Sequence, residues 1–118
     1  QDPGETNALG KMKFFMPNPW DIYLHDTPNK GLFSDAHRNF SSGCIRLEDP
    51  ISLAHFSLAE NLQHFSIDEA IASGENQWLK LSQPINVYTT YFTAWANENG
   101  FIFAPDSYKR DLIDAKRL

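Results

Sequence analysis

The stretch Ser41-Ser42-Gly43-Cys44-Ile45-Arg46-Leu47 carries the residue types most suited to covalent chemistry. It holds the single cysteine of a 118-residue chain, with a glycine and two hydroxyls before it and an arginine two positions after it. A cysteine thiol is intrinsically a strong nucleophile once ionised. A glycine beside it lets a backbone N–H approach an oxygen on which charge develops. Together these suggest that Cys44 attacks an acyl group. Ser41 and Ser42 are rival nucleophiles, but neither sits in a Gly-x-Ser-x-Gly elbow, and the neighbouring thiol is the better attacking group.

A free thiol is mostly protonated at neutral pH and needs a base. His25 closes an alternating stretch, Asp21 to His25, and precedes the turn-forming Asp26-Thr27-Pro28. That context puts the imidazole at the rim of a sheet with a fixed direction, so His25 is read as the base. The competing reading is a satisfied histidine at a strand end. Its orienting partner is either a backbone carbonyl or Asp26. His37, in the loop before the cysteine, is also within conceivable reach. His55 and His64 read as surface histidines on or beside a later helix.

Arg46 follows Cys44 by two, so in extended chain both side chains leave on one face. Its guanidinium can bind a carboxylate bidentately or favour the thiolate. A structural salt bridge to Asp49 or Asp26 is the equal alternative. Tyr23 shares a strand face with His25 and is either a wall of the same pocket or core packing. A metal centre needs three convergent ligands, and the histidines lack the spacing for one. Neither a metal nor a cofactor is expected.

The elements that must position these residues follow from periodicity. Met12 to Met16 reads as a strand stopped by Pro17-Asn18-Pro19, and Asp21 to His25 as its antiparallel partner. Asp26 to Phe40 is a loop with one helical turn near Ser34 to Arg38. Asp49 caps a helix opened by Pro50, with Ile51, Ala54, Leu58 and Leu62 at helical spacing, about 13 residues long. Ser66 to Glu69 is a capping box, and Gly74 stops the helix it begins. Trp78 to Leu81, the long run Ile85 to Trp95, and Phe101 to Phe103 read as strands, the last two joined by a turn at Asn97 to Gly100. Ser107 to Leu118 reads as a charged helix with Tyr108, Leu112 and Ile113 inward. The fold class is therefore mainly β with flanking helices (α+β), and residues 1–118 form a single domain.

A net charge of −5 and a pI near 5.2 disfavour nucleic acid as a partner. No apolar run approaches the roughly 20 residues of a membrane span. Gln1 is not a natural initiator, so the chain is read as cut or processed.

His25-Asp26-Thr27 followed by Ser41-Ser42-Gly43-Cys44-Ile45-Arg46 resembles the signature of the L,D-transpeptidases, the YkuD-type domain of peptidoglycan enzymes. Residues 7–14 and 22–28, and the later run from Trp78 to Ala94, are similar to its YcbB-like branch. The resemblance implies a YkuD-type β-sandwich-like fold whose opening strands would precede Gln1. It implies that Cys44 is the acylated nucleophile, His25 the general base, the Gly43 and Cys44 N–H groups the oxyanion donors, and Arg46, Ser42 and Tyr23 lining for the substrate. Many members carry histidine where this chain has Ser42; the YcbB-like branch has serine there. The implied reaction is a peptidoglycan 3→3 cross-link through a Cys44 thioester, from a tetrapeptide stem to an acceptor diaminopimelate in a Gram-negative periplasm, with carbapenem β-lactams as inhibitors. The other readings are an L,D-carboxypeptidase, in which water resolves the acyl-enzyme, and a non-catalytic peptidoglycan-binding fragment.

Overall fold

The computed structural model describes residues 3–4, 6–58 and 65–111. The chain divides into two compact units, residues 1–86 and 87–118.

In the first unit, β1 (Lys13–Phe14), β2 (Leu24–His25) and β3 (Ile45–Arg46) form a sheet in that order. β1 and β2 are antiparallel, as the alternation predicts, with Lys13 opposite His25 and Phe14 opposite Leu24. β3 runs parallel to β2, with Leu24 opposite Ile45 and His25 opposite Arg46. The ladders are short because the chain between β1 and β2 is held by a side chain instead. Asn18 donates from Nδ2 to the Met16 and Ile22 carbonyls at 2.7 and 2.6 Å, and its Oδ1 accepts the Trp20 and Ile22 N–H groups, both at 3.1 Å. Every hydrogen-bonding site on that amide is used. The two flanking prolines cannot donate to a ladder, so an amide side chain closes the loop.

After β2 the chain reverses through a 3₁₀ turn at Lys30–Ser34, not at the Ser34–Arg38 segment that composition suggests. α1 (Pro50–Ser57) begins where its cap predicts: Asp49 accepts the Ser52 N–H at 2.9 Å, with proline at the first helical position. It closes at Leu58, whose N–H bonds the Ala54 carbonyl, shorter than the spacing suggests; Leu62 and His64 lie outside the described residues. α2 (Ile67–Ser73) is capped by Ser66 and stopped by Gly74 at φ +66°, a left-handed conformation that glycine adopts without strain. Ala54, Leu58 and Ile67 are buried together, and Met12, Phe14, Phe65, Ile71 and Leu81 pack on them. Phe14 therefore points to this core, while Lys13 leaves on the opposite face of the sheet.

Trp78 to Leu81 is extended without ladder partners rather than a strand; Trp78 meets Phe15 edge-on, with centroids 6.4 Å apart. In the second unit the expected long strand is confined to β4 (Ala94–Asn97), which pairs antiparallel with β5 (Gly100–Phe103) across the two-residue turn Glu98-Asn99. Residues 85–93 form no ladder. Tyr91 donates to Asp106 Oδ1 at 2.6 Å and packs edge-on against Tyr108, bracing the end of this hairpin. Of the expected terminal helix, residues 112–118 lie outside the described residues. Among the described residues, five short strands and two helices make the mixed, strand-led α+β architecture expected of a YkuD-type domain.

Candidate active site

The register of the three-stranded sheet determines which side chains share a face. Lys13, His25 and Arg46 stand in one row across β1, β2 and β3. Side chains at paired positions project the same way, and those two residues along a strand share that face. Tyr23 and Cys44 are therefore on the face of this row, one step toward the strand starts. The Ile45 N–H bonds the Tyr23 carbonyl at 3.0 Å and the Leu47 N–H bonds the His25 carbonyl at 2.8 Å, locking the two strands in that register. The face opposite carries Phe14, Leu24 and Ile45, the first of them against the helices. One sheet thus turns its apolar face to the core and its thiol, imidazole and cations away from it.

His25 is buried, and its Nδ1 is hydrogen-bonded to the Asp26 carbonyl oxygen. A carbonyl has no proton to give, so Nδ1 carries the hydrogen in this bond and Nε2 is left as the basic nitrogen. The partner left open between a backbone carbonyl and the Asp26 carboxylate is the carbonyl. Asp26 is itself buried, and its carboxylate has other work. Oδ2 accepts the Lys11 N–H at 2.9 Å, and Oδ1 accepts from Lys30 Nζ at 2.8 Å. Burial pushes this carboxyl up, but the Lys30 and backbone hydrogen bonds and the Lys30 charge outweigh that and hold it below its ordinary value.

Gly10 explains why the approach is possible. It lies at φ +63°, and a methyl group there would come within 2.6 Å of Asp26 Cβ, and closer still to the carboxylate. The need for glycine at this position comes from the buried carboxylate beside it.

Tyr23 joins the thiol to the aromatic wall. Burial first, then a hydrogen bond to Cys44 and the Cys44 and Asp21 charges, push its phenol above the ordinary range. A raised value keeps the phenol protonated, and so able to donate to the Cys44 sulfur. Its ring meets the His25 ring edge-on at 5.9 Å, and Lys13 Nζ sits 3.5 Å from its centroid, a close cation–π contact. Tyr23 is half-buried beside His25 and Lys13 and is not among the side chains packed on the core cluster.

Cys44 is half-buried and free. The loop before it is pinned by Ser41, whose hydroxyl donates to the Cys44 carbonyl at 2.6 Å and accepts the Gly43 N–H at 3.3 Å. Among the described residues the Cys44 N–H has no acceptor. Ser42 is exposed beside it. Arg46 forms no ion pair with Asp49 or Asp26; the latter is bonded to Lys30 instead. The guanidinium therefore stands on the active face beside His25 without a carboxylate among the described residues.

His37 lies in the exposed loop and His55 is exposed on α1, which leaves His25 as the described histidine that the sheet places on the Cys44 face. A cleft of about 510 Å³ opens on the Asp26 side, lined by Met12, Thr27, Lys30, Pro50, Ile51 and Ile71 among others. Cys44, His25 and Arg46 do not line it, so this cleft is separate from the sheet face that carries them. Among the described residues no three His, Cys, Asp or Glu side chains converge as a metal site, and no helix is long and apolar enough to cross a membrane.

The family model for the YkuD L,D-transpeptidase catalytic domain matches residues 1–62, the span containing every residue of this arrangement. Over 106 residues the chain is 38% identical to a Haemophilus influenzae protein provisionally described as an L,D-transpeptidase. That alignment covers 89% of the chain and 22% of the relative, so the chain corresponds to a minor part of the longer protein's length.

Proposed function

Because the chain belongs to the YkuD family of L,D-transpeptidase catalytic domains, we propose that it performs cysteine-based acyl transfer on peptidoglycan stem peptides. The observation that carries this reading is the shared face of Cys44, Tyr23 and His25, with Nδ1 of His25 occupied by a carbonyl. That hydrogen bond leaves Nε2 free to take the thiol proton.

In the proposed reaction the Cys44 thiolate attacks the carbonyl carbon of the L,D-peptide bond that follows the third residue of a tetrapeptide stem. A C–S bond forms, and the carbonyl π electrons move to oxygen. In this reading the Cys44 N–H receives that oxyanion, and the Gly43 N–H joins it by exchanging its bond to the Ser41 hydroxyl. The C–N bond then breaks, and D-alanine leaves as an amine protonated by His25. The side-chain amine of a second diaminopimelate, deprotonated by His25, attacks the thioester; sulfur leaves and a 3→3 amide remains.

Arg46 and Ser42 line the substrate side, with the guanidinium suited to a stem carboxylate. Tyr23 holds its proton and stabilises the thiolate. The family resemblance further implies a Gram-negative periplasm as the site of action and carbapenems as acylating inhibitors. The test is mass spectrometry of the full-length protein after incubation with a carbapenem, then with tetrapeptide muropeptides. An adduct on Cys44 and a cross-linked dimer are expected. No adduct on Cys44 in folded protein would sink the acyl-enzyme. Tripeptide as the sole product would replace transfer by L,D-carboxypeptidase action.

A further inference from the structure

Lys30 lies outside the row of side chains that face the thiol, yet it touches both segments that carry the site. Its ammonium donates to Asp26 Oδ1 at 2.8 Å, to the Leu47 carbonyl at 2.9 Å and to the Glu48 carbonyl at 2.7 Å. An ammonium has three N–H donors, and all three are engaged. One acceptor belongs to the residue after His25. The other two belong to the third and fourth residues after Cys44. Segments separated by 17 and 18 residues of sequence from Lys30 are thus tied through one nitrogen to its neighbour four residues back.

We propose that Lys30 is a positioning residue for the Cys44–His25 chemistry: its ammonium fastens the arm ending in His25 to the strand carrying Cys44. This rests on the acyl-transfer reading above and goes beyond it by naming what sets the imidazole's place. The route is short. Lys30 holds the Asp26 carboxylate from one side while the Lys11 N–H holds it from the other at 2.9 Å. With its carboxylate held at both oxygens, Asp26 presents its own backbone carbonyl to His25 Nδ1. The turn that brings Lys30 back over the sheet is built locally. Thr27 Oγ1 accepts the Asn29 N–H at 3.2 Å, the Pro28 carbonyl accepts the Lys30 N–H at 3.0 Å, and the 3₁₀ turn begins there.

The Lys30 side chain is 43% exposed, and an ion pair this wet contributes little to stability. What the arrangement supplies is geometry. Displacement of a reacting group by about 1 Å can cost on the order of a hundredfold in rate. A methionine keeps the stem and removes all three donors. An arginine keeps the charge, but its planar fork cannot meet three acceptors arranged around one nitrogen.

The experiment compares Lys30→Met and Lys30→Arg with wild type in the full-length protein. It reads thermal unfolding, the rate of Cys44 acylation by a carbapenem, and the pH profile of Cys44 alkylation by iodoacetamide. Lys30→Met is expected to slow acylation by about ten- to a hundredfold and to change the pH profile of alkylation. Lys30→Arg is expected to fall between the two and serves as the test if the methionine variant does not fold. A wild-type alkylation profile in either folded variant overturns the proposal, whatever happens to the melting temperature. If wild type itself takes up no carbapenem, the acyl-transfer reading fails, while the alkylation profile still decides whether Lys30 positions the pair.

Discussion

Gly10 and Gly74 have nearly the same backbone conformation, φ +63° and +66°, in very different surroundings. A methyl group at Gly74 meets nothing within 4 Å, whereas one at Gly10 meets the Asp26 carboxylate and Cβ. Alanine at either position pays for the left-handed backbone, about 1–2 kcal/mol. At Gly10 it also displaces the carboxylate that accepts the Lys11 N–H at 2.9 Å. Loss of a hydrogen bond to a charged group adds about 1.5–3 kcal/mol. Gly10→Ala is therefore expected to destabilise by roughly 2.5–5 kcal/mol and Gly74→Ala by roughly 1–2 kcal/mol. Urea unfolding of the two variants in the full-length protein measures the difference, and the shared backbone penalty cancels in it. Carbapenem acylation of Cys44 supplies a second readout. Movement of Asp26 disturbs the carbonyl that orients His25, so Gly10→Ala slows acylation in the protein that remains folded and Gly74→Ala does not. Equal destabilisation of the two variants, or an unchanged acylation rate in folded Gly10→Ala protein, would refute the packing argument that links residue 10 to the imidazole.

Tyr23→Phe keeps the ring beside His25 and under Lys13 while deleting the donor to sulfur. A hydrogen bond to a charged acceptor is worth about 1.5 kcal/mol at the low end, so iodoacetamide alkylation of Cys44 near neutral pH should slow by about tenfold; an unchanged rate would show that the phenol does not support the thiolate. Lys13→Met and Arg46→Met remove the cations flanking His25 in the sheet row. Both should slow an anionic carbapenem more than neutral iodoacetamide, with a gap that narrows as salt screens it; equal slowing of the two reagents would speak against a charge-guided substrate. Asp26 has its folded-state value below the unfolded one, so the unfolded chain binds its proton first. Its contribution to stability is complete above the ordinary carboxyl range, near pH 4, and is lost as pH falls through the lowered folded value. Acid titration of unfolding should show that loss in wild type and a flatter curve in Asp26→Asn; curves of the same slope would contradict it.

The parts legible in the sequence were those whose cause is local. Asp49 with Pro50, and Ser66 with Gly74, are helix boundaries because a side-chain oxygen or a left-handed glycine satisfies nearby backbone groups. The alternation in Asp21 to His25 put Tyr23 and His25 on one face, and the two-residue step from Cys44 to Arg46 did the same for them. That β3 would lie parallel to β2, with Arg46 opposite His25, depends on a pairing across 21 residues that no local pattern encodes. β propensity likewise overstated the run from Ile85 to Trp95. Its β-branched and aromatic residues favour extended chain, but a ladder also needs a partner strand, and β5 meets only the last few residues from Ala94. The roles of Lys30 and Gly10 are not legible in the sequence for a related reason. Their significance comes from what folds against them, an Asp26 carboxylate in both cases, and a lone lysine after a proline turn carries no signal of that.

The site also shows how strands of two residues each can hold candidate catalytic groups in register. Ladder hydrogen bonds alone fix little at that length, and a small sheet is marginal in water. Here side chains finish what the ladders begin: Asn18 closes the loop into β2, Ser41 pins the carbonyl of Cys44, and Asp26 with Lys30 joins the two strand ends. Each of these bonds ends on a group within a few residues of Tyr23, His25 or Cys44. Because they act on separate segments, their loss should be separable: removal of the Asn18 amide would loosen the approach to Tyr23, and removal of the Ser41 hydroxyl the approach to Cys44. Loss of the Lys30 ammonium alone acts on the imidazole and thiol segments together. Its effect on Cys44 reactivity should therefore exceed that of Ser41→Ala, even though the Ser41 hydroxyl is bonded directly to the nucleophile's own residue.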